Sequence, residues 1–290
     1  SGVVHVGNFR EVMTVDLVAR ALRDRGAEVR FIYSWDDFDV FRKVPADLPK
    51  RELLTTHLGR SIVDVPDPWD QHDSYASHHI AQFERSLEPL GIAPEFIRQS
   101  AQYRKGTYAV GIQKALQGAG KIREILNRVR EQTTANSRVD DEWLPLAGFC
   151  DECGRDKLRF RVLDEWRVHY TCERCGHERD VDLREGGNLK LPWRIDWPMR
   201  WAHEGVCFEP GGKDHSTAGG SYDTAKDIVR ELYDWVPPEY VGYDFVRVKG
   251  RAGKISSSKG DVVTVGDCLK IYEPEVLRWI FVSYKPNTEF

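Results

Sequence analysis

The 290 residues carry 42 basic against 46 acidic side chains, a formal net charge of −4, with 30% of residues charged. A chain of this length can bury a large core and is expected to divide into more than one module, and its balanced charge announces no nucleic-acid binder, although a basic face counts for more than a total. No apolar run approaches the roughly 18 residues of a membrane span and no secretory leader precedes Gly2, so the expected class is a soluble, cytoplasmic α/β protein.

The chain opens on Ser1-Gly2-Val3-Val4 and then His5-Val6-Gly7-Asn8, without an apolar strand ahead of that tetrapeptide. In a dinucleotide-type fold the phosphate loop follows a first β-strand, so a strand is expected upstream of Ser1. After Asn8, Val12, Val15, Val18 and Leu22 recur at helical spacing and Gly26 supplies a stop. A helix starting just after Gly7-Asn8 points its amides and the positive end of its dipole at an anion. Gly7 lets a nucleotide approach the backbone, and His5 and Asn8 supply donors that follow negative charge as it moves. The plainer reading of the same residues is a turn capping an amphipathic helix.

Glu28-Val29-Arg30-Phe31-Ile32-Tyr33 predicts a strand, and its acidic tip at Trp35-Asp36-Asp37 falls where open parallel sheets hold ligands. Helix followed by buried strand is half of a crossover unit, as a doubly wound sheet requires. After a loop punctuated by Pro45, Pro49, Pro66 and Pro68, the residues Ile80, Phe83, Leu87 and Leu90 mark a second helix stopped by Gly91. Ile112, Leu116, Ile122, Leu126 and Val129 mark a third, long one.

Cys150-x-x-Cys153 and Cys172-x-x-Cys175 stand 18 residues apart, the spacing of a zinc ribbon. Each pair can wrap one edge of a tetrahedral ion, Gly154 and Gly176 follow as knuckle turns need, and the residues between alternate as a small hairpin (Leu158, Phe160, Val162, then Val168, Tyr170). Four thiolates leave no open position for catalysis, so the ion is expected to be structural. Cys207 and Cys268 read as small buried apolar residues.

From Leu191 to Tyr222 the chain is expected to build a substrate pocket. Trp193, Trp197 and Trp201 recur every four residues with Asp196 among them, and Pro198 means that the spacing need not be one uninterrupted helix. Core packing accounts for such tryptophans; an aromatic wall with an acidic group also suits a long cationic side chain. Gly211-Gly212-Lys213-Asp214-His215 and Gly219-Gly220-Ser221 form a polar, glycine-rich loop before a helix, suited to a carboxylate or ribose. Near the end, Tyr243 to Val248 reads as a strand, followed by Lys254-Ile255-Ser256-Ser257-Ser258-Lys259-Gly260, whose hydroxyls and two cations suit triphosphate oxygens. A solvated surface loop has the same composition.

The tetrapeptide at His5 and the run at Lys254, flanking an α/β pattern, resemble the two signature motifs of a class I aminoacyl-tRNA synthetase. Gly7-Asn8-Phe9-Arg10-Glu11, Gly212-Lys213-Asp214-His215 and the four-cysteine insertion resemble class I lysyl-tRNA synthetase, over essentially Ser1 to Phe290. The resemblance implies a doubly wound, Rossmann-like parallel sheet with an inserted zinc-ribbon module and a short α-rich C-terminal segment. Residues 1–95 and 191–245 would be the halves of the catalytic domain, 96–190 the insertion, and 246–290 the serine-rich loop and the start of a helical region, with an anticodon-binding domain beyond.

For the site, the resemblance implies ATP held by His5, Gly7, Asn8, Lys254 and Lys259, with His5, Asn8, Lys254, Ser256, Ser258 and Lys259 stabilising the reacting phosphates beside Mg²⁺. The general motif has lysine where Ser257 stands here, which leaves the charge to Lys254 and Lys259. Lysine would meet Trp193, Asp196, Asp214, His215 and Tyr243. The four cysteines would hold Zn²⁺ and press on the tRNA acceptor end. Asp67, His72 and His78 resemble part of a second zinc site in which Gln71 stands in place of a cysteine; helix capping and solvated histidines explain the same residues. The expected activity is lysine–tRNA ligation by a monomer, with L-lysine, ATP and tRNA(Lys) as partners. Its rivals are a glutamyl-type synthetase, another nucleotidyltransferase, and an inactive zinc-ribbon RNA-binding fragment.

Overall fold

Short β-branched runs and apolar residues at three-to-four spacing alternate along the chain. In the first half the elements they form are α1 (Val6–Arg23), β1 (Ile32–Trp35), α2 (Arg51–Thr56), α3 (Tyr75–Leu87), β2 (Glu95–Arg98), α4 (Gln99–Arg104), α5 (Ala109–Gln117), α6 (Ala119–Gln132) and β3 (Ala147–Gly148). There follow β4 (Leu158–Val162), β5 (Arg167–Cys172), β6 (Glu178–Asp182), β7 (Leu189–Lys190), α7 (Trp193–Glu204), β8 (Phe208–Gly212), α8 (Ser221–Leu232), β9 (Glu239–Tyr243), α9 (Val265–Leu269) and α10 (Pro274–Ser283). This computed structural model describes residues 2–46, 48–132, 138–216, 220–247 and 262–290, and the chain divides into two compact units.

The first unit comprises Ser1–Gln99, Pro210–Lys213 and Val241–Phe290. Its β1 and β2 pair in parallel, Ile32 opposite Glu95 through Trp35 opposite Arg98. The connection between them carries α2 and α3, the long crossover that a parallel pair demands. The strand expected over 28–33 therefore begins later. Pairing starts where the Glu95 amide meets the Phe31 carbonyl at 2.8 Å, and the preceding Pro94 has no N–H to extend the ladder.

On α1 the buried apolar residues are Val6, Phe9, Val12, Met13 and Ala19, with Arg10 and Asp16 buried beside them. Of the stripe expected through Val12, Val15, Val18 and Leu22, Val12 is buried and Val15 packs against the core, whereas Val18 is half-buried and Leu22 is exposed. The helix turns this face because Phe9, fully buried, meets Phe281 of α10 edge-on at 4.9 Å between ring centroids. Burying a phenylalanine contributes about 2–3 kcal/mol, more than the partly exposed Val18 can offer. Ile80, Phe83, Leu87 and Leu90 are all buried, as their spacing predicts.

The second unit comprises Ser100–Glu209 and Asp214–Tyr240, so much of the stretch 191–245 lies with the helices of the middle of the chain. The long helix expected from Ile112 to Val129 is broken into α5 and α6 at Gly118. A Cβ there would lie 2.7 Å from Leu232 Cδ2 of α8, so the bare backbone is what lets α8 pack closely. Conversely, α7 runs unbroken through Pro198. Strands β4, β5 and β6 form an antiparallel sheet, with Leu158 opposite Cys172 and Val162 opposite Val168. Among the described residues the remaining strands make the pairs β3–β7 and β8–β9; the chain is α/β.

Candidate functional site

The helix at the head of the first unit starts at Val6, not after Asn8, with His5 as its N-cap. His5 Nδ1 accepts the Gly7 amide at 3.1 Å, and the Asn8 carboxamide oxygen accepts the His5 amide at 3.2 Å, a reciprocal cap. The Val6 amide is taken by the Val263 carbonyl at 2.8 Å and the Asn8 amide by the His5 carbonyl at 2.9 Å. The first-turn amides expected to face an anion are thus held by the protein itself. With Nδ1 accepting, a neutral His5 carries its proton on Nε2, and Asn8 keeps its amide nitrogen as donor. Gly7 has a local purpose as well: a Cβ at this position would sit 2.9 Å from the His5 ring.

Lys254, Ser256, Ser258 and Lys259 lie outside the described residues. The backbone on either side of 248–261 is tied down within the unit: the Arg247 amide bonds the Phe290 carbonyl at 2.7 Å, and Val263 holds the first amide of α1. The chain leading out of that segment therefore arrives at the capped end of the helix that bears His5 and Asn8.

One turn further along α1 stands Glu11, outside the residues expected at the site. Burial pushes its carboxyl up to about 7; the Tyr243 hydroxyl, donating at 2.9 Å, works against this, and Asp36 adds to it. The residue as a whole keeps some accessible surface. Tyr33 is close enough that burial, Glu11, Asp36 and Glu84 together hold its hydroxyl well above the usual range. Glu11 lies three residues beyond Asn8, on the same helix face, which is the signal that could have found it. Tyr243, expected at a substrate site, is its partner.

Asp214, exposed, and Trp193 and His215, half-buried, belong to the second unit. Trp193 stacks on Trp197 with centroids 5.2 Å apart and 20° between planes, and His215 lies 5.2 Å from Trp193. The indoles of Trp197 and Trp201 both donate to Glu209, at 3.2 and 3.0 Å. Trp201 is core, 1% exposed. Asp196, expected to present its carboxylate to a substrate cation, is instead 3% exposed. It pairs with Arg200 at 3.0 Å and accepts the Tyr103 hydroxyl, a neutralised ion pair inside the unit.

The four cysteines converge. Cys150 and Cys175 sulfurs are 3.7 Å apart, Cys153 and Cys172 3.8 Å, and all four lie within 4.8 Å of one another. A tetrahedral ion with Zn–S bonds of about 2.3 Å has sulfur–sulfur edges of about 3.8 Å. All four are free thiols, too far apart for disulfides. Gly154 and Gly176 take φ of +71° and +76°, and their amides close the two knuckles on the Cys150 and Cys172 carbonyls at 2.8 and 2.9 Å. The residues present fit a closed thiolate site.

Asp67, His72 and His78 do not form a second such set. Among the described residues no ligand cluster includes them. The Asp67 carboxylate is occupied: it accepts the amides of Trp69, Gln71 and His72 at 3.1, 2.9 and 2.9 Å and stands 3.2 Å from His78 Nδ1. Burial opposes its ionisation, but these bonds outweigh that and hold it below the usual carboxylate range. Trp69 stacks on the His78 ring at 4.2 Å, and the neighbouring His79 is buried and lowered to about 4 by desolvation and by His78. This is a cap and a packed aromatic cluster.

The whole chain, residues 1–290, matches the family described as tRNA synthetases class I (K). It is 51% identical over 291 aligned positions to the lysine–tRNA ligase of Borreliella burgdorferi, covering 100% of this chain and 54% of that protein. It is 48% identical to that of Treponema pallidum and 47% to that of Pyrococcus furiosus, again over 100% of this chain and 54% of each relative. The chain spans about half the length of the curated relatives it matches.

Proposed function

Since the chain belongs to the class I (K) tRNA synthetases, we propose that it is the catalytic portion of a lysine–tRNA ligase, which joins lysine to AMP from ATP and then passes it to tRNA(Lys). The observation that carries the reading is the Glu11–Tyr243 pair, with Asp36 beside it, one helical turn from the His5–Asn8 cap. A carboxyl raised by burial gains most from a cationic ligand, because an ammonium restores the charge balance that water would have supplied. The same carboxyl repels a glutamate side chain, which disfavours a glutamyl-type enzyme.

In the proposed reaction an oxygen of the lysine carboxylate attacks the ATP α-phosphorus in line. The new acyl–phosphate bond forms as the bond to the bridging oxygen breaks, and pyrophosphate departs with that electron pair. His5 Nε2–H and the Asn8 amide nitrogen donate to the phosphate oxygens, with Lys254, Ser256, Ser258 and Lys259 as further donors. Mg²⁺, when bound, neutralises phosphate charge. Within the second unit, Trp193, Trp197 and His215 form an aromatic cluster that suits the aliphatic stem of lysine. The parallel β1–β2 pair belongs to a doubly wound sheet, and a Zn²⁺ on Cys150, Cys153, Cys172 and Cys175 staples the inserted ribbon. The work belongs to cytoplasmic translation.

The test is ATP–pyrophosphate exchange with each amino acid in turn, tRNA present. Exchange stimulated by lysine alone is expected. Exchange with glutamate, or salt-sensitive RNA binding with no exchange for any amino acid, would overturn the reading.

A further inference from the structure

Arg10, between Asn8 and Glu11, is 3% exposed, yet it faces no carboxylate at bonding distance among the described contacts of its guanidinium. Its two terminal nitrogens donate to main-chain carbonyls, to Asp244 and to Lys285, each at 2.8 Å. The Phe290 ring lies 4.7 Å beneath the guanidinium carbon. The Asp244 carboxylate is turned elsewhere, to Lys213 at 2.9 Å and to the Phe245 amide at 2.9 Å. A buried guanidinium held by two carbonyls and a ring face depends on its planar fork as much as on its charge.

The consequence follows from adjacency. Arg10 grips the backbone at Asp244; Glu11, the next residue of α1, receives the hydroxyl of Tyr243, the residue before Asp244. Two neighbours on the helix thus hold two neighbours at the end of β9. We propose that Arg10 is a positioning residue: by fixing the main chain at Asp244 it keeps the Tyr243 hydroxyl on Glu11 and so sets the geometry of the acidic subsite. Its bearing on substrate rests on the reading of that subsite as the place of the lysine ammonium; the coupling itself does not.

The Glu11 titration reads the coupling directly. The groups facing Glu11 are Tyr243 from β9, Tyr33 from β1 and Asp36 just after it. The full chain, ¹³C-labelled at glutamate carboxyls and assigned by Glu11→Gln, would be titrated by NMR. Losing a hydrogen bond to a charged acceptor raises a carboxyl by about one pH unit. Both Arg10→Lys and Tyr243→Phe are expected to raise the Glu11 midpoint by that order, and the double variant no further. A lysine at position 10 keeps the charge but cannot span both carbonyls. Should it fail to fold, Phe290→Leu, which strips the ring and leaves the guanidinium, carries the same expectation with a smaller rise.

In the same samples, calorimetric lysine binding is expected to weaken about tenfold in either single variant, the equivalent of that pH unit. If wild type gives no lysine heat, the functional reading fails while the titration still decides the coupling. An Arg10→Lys midpoint equal to wild type while Tyr243→Phe shifts it, or shifts that add in the double variant, would overturn the proposal.

Discussion

Glu11→Gln offers a prediction whose size can be worked from the structure. The carboxyl is raised from its ordinary 4.5 to about 7 by burial, against the pull of Tyr243. A folded-state value above the unfolded one means that the native protein binds more protons between those two pH values. Stability is therefore greatest below about 4.5 for this group, and it falls as pH rises through the window to about 7. At about 1.4 kcal/mol per pH unit, the full loss is of order 3 kcal/mol. A neutral glutamine keeps the side-chain volume and can still accept the Tyr243 hydroxyl, so the variant escapes the loss. Urea unfolding of both proteins should give similar stabilities near pH 5 and a glutamine variant more stable by about 2–3 kcal/mol at pH 8. Lysine should narrow the gap by binding the ionised wild type, the usual exchange of stability for binding. Parallel stability–pH curves, or a glutamine variant less stable at pH 8, would refute the argument.

Three further outcomes follow from the geometry. Purified chain should contain one zinc by elemental analysis; Cys153→Ser should abolish it, while His78→Ala should leave it unchanged, and a second zinc lost with His78 would contradict the assignment. Asp196→Asn, which strands Arg200 and weakens the Tyr103 bond, should cost about 3–5 kcal/mol in denaturant unfolding. If the variant unfolded like wild type and merely bound lysine more weakly, Asp196 would be a substrate ligand after all. Gly7→Ala should displace the His5 ring and lose its cap, costing about 1 kcal/mol of stability and slowing pyrophosphate exchange, with the exchange rate at saturating lysine as the readout.

Some of this protein is written in local spacing. Two Cys-x-x-Cys pairs, each followed by a glycine free to take positive φ, define a tetrahedral thiolate site, because both the ligands and the turns that aim them lie within a few residues. The buried face of α3 follows from Ile80, Phe83, Leu87 and Leu90 for the same reason. The family, too, was legible in short motifs.

What needed the tertiary structure is every question of partnership. Three-to-four spacing could not tell which stripe of α1 faces inward, since Phe281 lies far along the chain. Nor could it show that α8 presses a leucine against Gly118 and parts a helix that otherwise reads as continuous. Asp67 looked like a ligand because its carboxylate could not be seen to serve three amides. The sharpest case is the pair of carboxylates. Asp196, set among tryptophans, reads as the acid of a binding pocket, and Glu11 reads as an ordinary helix residue. What each carboxyl meets differs: Tyr103 and Arg200 surround one, Tyr243 and Asp36 the other. Sequence states which groups can ionise; only the fold states what surrounds them, and the surroundings set both the charge and the cost of leaving it unpaired.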